Sequence, residues 1–265
     1  MIVSKHGKFT FNMTLNAGKL MLRSVLAPNR HSVRFVTLAL ACALFSAHAS
    51  TINVPGASDI WLAGQPNGST INDPQGPDFD TAPTNSPVEI DFAQGGAFDF
   101  SVTGTTTNWS GCAGESSADG GNCGADASIY GTDAINGISG YKGPINALIG
   151  VFTTGAQPTG PGAPATLDFT TAGSTGQSFL QLSPVLNQIF FIGDGLTGTG
   201  SGLTQLFSIP IGATRLFLAS SDAEGGSNNN GGSFAVTYQA LPEPASFLLL
   251  GSALAFLTIR RRFSR

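Results

Sequence analysis

Histidine is missing from the greater part of this chain. His6, His31 and His48 are the only three, and none lies beyond residue 48. That absence removes Ser-His-Asp and Cys-His nucleophile systems, and the common zinc sites, from residues 50–240. Basic residues are nearly as scarce there. Lys142 and Arg215 stand against fifteen acidic residues, a formal net charge of −13, although the whole chain carries only −4. A surface of that sign repels nucleic acid and other acidic polymers and favours divalent cations. Helix-period patterns are rare, and no repeat of solenoid or propeller length is visible. Cysteine is limited to Cys42, Cys112 and Cys123.

What the chain does have is concentrated first at its two ends. Arg23, Arg30 and Arg34 precede an apolar stretch from Phe35 to Phe45, then Ala47-His48-Ala49 and Ser50. Basic region, apolar region and small-x-small site together read as a secretory signal peptide over 1–49, cut after Ala49. Met21 would begin a leader of ordinary length, so the true start is expected at either Met1 or Met21. Ala39-Leu40-Ala41-Cys42 is a poor lipoprotein box, because the leucine sits one place late. An exported chain meets an oxidising compartment, so Cys112 and Cys123 are expected to form a disulfide across a Gly/Ser/Asp-rich loop. Two isolated cysteines lack the further ligands that a metal site needs.

At the other end, Leu241-Pro242-Glu243-Pro244-Ala245 leads into an apolar run to Ile259, followed by Arg260-Arg261-Arg262. The prolines fix φ and remove backbone donors, which keeps the motif extended. Ala245 to Ile259 is 15 residues without a charge. As a transmembrane helix it would span about 22 Å, short of the ~30 Å hydrocarbon core. Thinning of the bilayer or snorkelling arginines can close that gap. The arginines read as the cytoplasmic side. This tail, residues 241–265, resembles the PEP-CTERM signal of exported Gram-negative proteins. The resemblance implies export by the Sec machinery, transient anchoring in the inner membrane, and cleavage by an exosortase near Pro242-Glu243-Pro244. The cell envelope or an extracellular exopolysaccharide matrix would be the destination.

Residues 50–240 suit a single extracytoplasmic domain. Phe98, Phe100 and Val102 alternate with polar neighbours, as do Phe234, Val236 and Tyr238; Leu216 and Leu218 also alternate. Ile145–Phe152 and Gln188–Ile192 are more continuous, as expected of strands covered on both faces. Val88–Phe92 and Ser178–Leu182 read as further strands. Thr103–Gly140 and Gly155–Pro164 read as loops. The expected fold is all-β, an antiparallel β-sandwich of galactose-binding or jelly-roll type.

The best chemical motif is the loop Asp222-Ala223-Glu224-Gly225-Gly226-Ser227-Asn228-Asn229-Asn230-Gly231-Gly232 between two expected strands. Calcium takes six to eight oxygens from carboxylates, amides and backbone carbonyls, and this loop offers all three. It does not match EF-hand spacing. Here the chain resembles the calcium-dependent galactose-binding bacterial lectins of PA-I type. The segments carrying that resemblance are Ile52-Asn53-Val54-Pro55 with Ile60-Trp61, Phe98–Gly104, Gly143–Gly150 and Asn229–Phe234. The resemblance implies Ca2+ held by Asp222, Asn229 and Asn230 with the Gly226 carbonyl, and two sugar hydroxyls on the same ion. The family's sugar-specificity loop has no counterpart. Trp109, Tyr130 or Tyr141 could supply a stacking face, or belong to the core.

These features point to a non-enzymatic, exported envelope or matrix component. The alternatives are a calcium-dependent, lectin-like protein binding galactose-type glycans, and, more remotely, a carboxylate-based glycosidase, which needs no histidine.

Overall fold

The structure, a computed structural model, describes residues 49–74, 76–92, 96–108, 114–121, 130–170 and 173–241. Ala47, the pair Cys112 and Cys123, and the whole of Pro242–Arg262 lie outside the described residues. Among the described residues no helix is long and apolar enough to cross a membrane.

The fold is all-β and built on two facing sheets. In chain order the first strands are β1 (Ala49–Pro55), β2 (Thr70–Asn72), β3 (Phe79–Thr81), β4 (Val88–Asp91) and β5 (Ala97–Thr107). Then come β6 (Tyr130–Gly131), β7 (Lys142–Gly143), β8 (Leu148–Thr153), β9 (Gln181–Leu182) and β10 (Ile189–Phe191). The last are β11 (Leu196–Gly198), β12 (Ser201–Thr204), β13 (Leu206–Ser208), β14 (Arg215–Ser220) and β15 (Gly231–Leu241). A five-stranded sheet has the order β1-β15-β5-β13-β9 and a four-stranded sheet the order β10-β8-β14-β4. Small two-stranded ribbons, β2-β3, β6-β7 and β11-β12, decorate them. Pairing in the main sheets is antiparallel apart from β13 with β9, which is parallel.

Phenylalanine fills the space between the sheets. Phe98 on β5 stacks on Phe152 of β8 at 6.1 Å between centroids, and Phe207 on β13 meets Phe190 of β10 at 5.4 Å. Offset and edge-on aromatic pairs of this kind add to the area they bury. The period-2 pattern of β5 puts Phe98 and Phe100 inward, and that of β15 does the same for Phe234 and Val236.

Two expectations changed with tertiary context. The Leu216/Leu218 alternation suggested a half-exposed strand, yet Leu216 through Ser220 are all buried. β14 is a central strand, and the 3-10 turn Ile60–Leu62 packs against it while the Arg215 guanidinium lies 5.2 Å over Phe217. The polar stretch from Thr103 was read as loop, but β5 continues to Thr107 because β15 offers it a partner as far as Gly231. Gly155–Pro164 contains no strand, as expected.

The long ladder sets the ends of the molecule. Ala49 pairs with Gln239, and Leu241 pairs with Ala97. The chain therefore enters β1 and leaves β15 at the same end of the sheet. Gly231, opposite Thr107, marks the other end, about 35 Å away for an 11-residue strand. Ala49 and Ser50 are exposed at the start of β1.

Phe98→Ala removes a fully buried ring that touches Phe92, Phe100, Phe152 and Tyr238. It should cost about 3–5 kcal/mol, read as a lower urea midpoint with an unchanged slope.

Candidate functional site

The Asp222 loop is not a hairpin turn. β14 belongs to the four-stranded sheet and β15 to the five-stranded one, so residues 221–230 carry the chain across from one sheet to the other. The crossing lies at the end remote from Leu241. Ser221 to Ser227 are buried, and Asn228 and Asn229 are exposed. Ser221 begins the crossing with a hydrogen bond from its Oγ to the Pro144 carbonyl (2.7 Å) and one received from Ala147 N–H (2.9 Å).

A buried loop has backbone donors to satisfy, and here carboxylates do it. Asp59 Oδ1 caps the Ile60–Leu62 turn by accepting Trp61 N–H at 2.8 Å, while its Oδ2 receives Gly225 N–H at 3.4 Å. Asp80, at the centre of β3, accepts Ser227 N–H on Oδ2 at 2.9 Å. Glu224 Oε1 takes the Asp133 N–H at 2.6 Å. Gly225 has φ +70°, and a Cβ there would lie 2.6 Å from Asp73 N, so only glycine lets the loop press this closely on the β2 end.

The electrostatics are one-signed. Asp59 and Asp80 lie close enough for each charge to act on the other, and both are buried. Burial pushes Asp59 well above the ordinary carboxyl range, and the Asp80 charge adds to that. Burial raises Asp80 to about 6, against the opposing N–H bond from Ser227. Each charge therefore makes the other costlier, and the two carboxyls titrate as a pair. Asp222 is also raised by burial, offset by hydrogen bonds from Asn108, Ala223 and Asn230. No basic side chain of residues 50–240 is left for this cluster. Lys142 pairs with Asp168 at 2.6 Å, and Arg215 reaches Glu89 at 3.4 Å.

Of the four residues expected to hold calcium, Asp222 and Asn230 bond each other and Gly226 lies against the Asp222 carboxyl, where a Cβ would be 3.8 Å from its Cγ. Asn230 Nδ2 donates to Asp222 Oδ2 at 2.8 Å. Asn229 instead donates to Asp78 Oδ2 at 2.9 Å, and Gly226 N–H donates to the Ala223 carbonyl. Asn230 Oδ1 and Asp80 Oδ1 are buried without a hydrogen-bond partner. Among the described residues there is no group of three or more His, Cys, Asp or Glu side chains set to hold a metal ion. A site here would draw on amide and backbone oxygens beside Asp222, which calcium accepts.

The sequence reading missed Asp59 and Asp80, and it missed an exposed aromatic. Phe79 is 54% exposed, and its carbonyl accepts Asn228 Nδ2 at 3.0 Å. Its ring stands open to solvent beside the crossing loop. Tyr141 belongs to the core, 1% exposed, with its hydroxyl donating to the Pro144 carbonyl at 3.1 Å. Trp109 and the Tyr130 side chain lie outside the described residues.

Residues 240–262 match the PEP-CTERM protein-sorting motif. No curated protein and no solved structure matches the chain, so the lectin resemblance has no support from either. The sorting motif makes this an exported protein, handled at the membrane by exosortase.

Carboxyls with raised pKa bind protons more readily folded than unfolded. Their stabilisation is full near and below the ordinary carboxyl range and declines as pH rises through the folded value. For Asp80, whose folded value is about 6, the loss is on the order of 2–3 kcal/mol. Asp99, Asp119 and Asp222 act in the same direction. Asp168, held at about 2 by Lys142, changes stability only at lower pH. In chelator-treated buffer the melting temperature should therefore fall as pH rises from about 4 to about 6.5. Asp80→Asn, which keeps an acceptor for Ser227, should flatten that fall.

Proposed function

We infer that this chain is a non-catalytic component of the cell envelope or of an exopolysaccharide matrix, exported with its tail in the inner membrane and then processed by exosortase. One observation carries the reading. The sorting motif begins at residue 240, where β15 reaches its last paired residue, Leu241 opposite Ala97. Cleavage among Pro242, Glu243 and Pro244 would leave every strand of the sandwich intact. Proline cannot donate to the ladder, so the motif itself marks the limit of the strand. Mass spectrometry of the mature protein should find a C-terminus between Leu241 and Ala245 and an N-terminus at Ser50. A C-terminus upstream of Ala240 would sink the reading, since the cut would remove part of β15.

A second reading assigns calcium, and through it a carbohydrate, to the crossing loop. It is favoured by the contact between Asp222 and Asn230, the unpartnered Asn230 Oδ1, and the open face of Phe79 alongside. Calcium would draw Asn230 Oδ1 toward Asp222 by rotating the amide, and the aromatic ring would receive a sugar's apolar face. Calcium at about a hundred times its dissociation constant should raise stability by about 2.7 kcal/mol by linkage, and Asp222→Ala should abolish that rise. A glycan array with and without calcium tests the sugar. Binding that Phe79→Ala removes supports this reading, and an array blank in both conditions eliminates the carbohydrate.

A further inference from the structure

The end of the sandwich from which the tail departs is apolar at its tip. β13 pairs Ser208 with the same Ala97 that faces Leu241, and Ile209 N–H continues the contact to the Gly96 carbonyl at 3.0 Å. The turn Pro210-Ile211-Gly212 therefore projects from the end where β15 finishes. β9 runs parallel to β13, so the chain after Leu182 arrives at that end too. There Leu186 lies against the turn, with its Cδ1 3.8 Å from where a Cβ on Gly212 would be. Ile211 is 96% exposed and Val185 is 52% exposed. An isoleucine bared to this degree has no role in the core; single exposed apolar side chains such as Leu203 are ordinary, but Ile211 and Val185 share the end at which β15 finishes.

The tether decides what meets this tip. Only Pro242, Glu243 and Pro244 separate Leu241 from the uncharged run Ala245–Ile259. Fully extended, that link spans about 14 Å at ~3.5 Å per residue. Once the run is in a bilayer, the base of β15 cannot leave the headgroup region. The acidic crossing loop stands at the opposite end of the 11-residue strand, about 35 Å further out. Anionic lipid repels that end, while Val185, Leu186, Ile209 and Ile211 at the tip are uncharged and Asp99 stands two residues back along β5.

We propose that this tip is a foot that seats on the lipid bilayer while the sorting tail is attached, holding the sandwich upright with its acidic end outward. The foot rests on the reading of Ala245–Ile259 as membrane-inserted. Its occupant is the bilayer surface itself, with Ile211 and Val185 entering the boundary between headgroups and acyl chains. Cleavage of the tail would then leave a weak contact, and the domain would lift off.

The test uses the full chain in vesicles of phosphatidylcholine and phosphatidylglycerol, with and without brominated acyl chains. Ile211→Trp reports on the foot, and Phe79→Trp reports on the far end. Both positions are exposed, and the native tryptophans are common to both variants. The chain should float with the vesicles. Brominated lipid should quench Ile211→Trp roughly twofold or more beyond Phe79→Trp, as for a side chain about 5–10 Å into the interface. Flotation with equal quenching of the two variants overturns the foot and leaves the tail reading standing. Failure to float overturns both. A blue shift of Ile211→Trp that grows with protein density and ignores bromination also overturns it, assigning the tip to a second copy of the chain.

Discussion

β15 is the element on which the rest depends. It is hydrogen-bonded along both edges, to β1 and to β5, and it runs the full height of the larger sheet. Its start is delivered by the crossing loop from the other sheet, and its end is the beginning of the sorting motif. One ladder thus fixes the distance between the acidic end of the domain and the start of the sorting motif. It also makes the order of events physical, since the strand that closes the fold is the one that leads into the tail.

The crossing loop shows what a one-signed domain must do with buried acids. Isolated buried carboxylates are costly, and elsewhere a basic partner would offset them. Here both basic residues of the domain are engaged with other acids. The structure uses two substitutes. Backbone N–H groups of Trp61, Gly225 and Ser227 bond Asp59 and Asp80, and an asparagine amide faces Asp222; burial also pushes the Asp59 and Asp80 carboxyls up. A proton relieves this repulsion, so acid belongs among the variables that should govern this end of the molecule.

Much of the strand content was legible because each pattern is local. Phe98-Asp99-Phe100 announces a strand by its alternation, and the continuous Ile145–Phe152 run announces one buried on both sides, although the strand itself starts only at Leu148. Asp59, followed by Ile60-Trp61-Leu62, had the position of a capping residue and could have been found as one. Asp80 carried no such signal, since Phe79-Asp80-Thr81 is an ordinary edge ribbon until the loop descends on it. The extension of β5 past Gly104 was invisible for a related reason. Thr and Gly form strand there only because β15, more than a hundred residues later, supplies the ladder.

The export address, the negative charge of the domain, the absence of histidine from it and its all-β class are written in the chain locally. These follow from composition and from neighbours within a few residues. Tertiary structure alone decided which sheet each strand joins, that Asp222–Asn230 crosses between sheets, that Asp59 meets Asp80 beneath it, and that Ile211 and Leu241 share an end. The reason is physical: register, burial and the coupling of two carboxyls depend on partners distant along the chain, and no local pattern encodes which partner arrives.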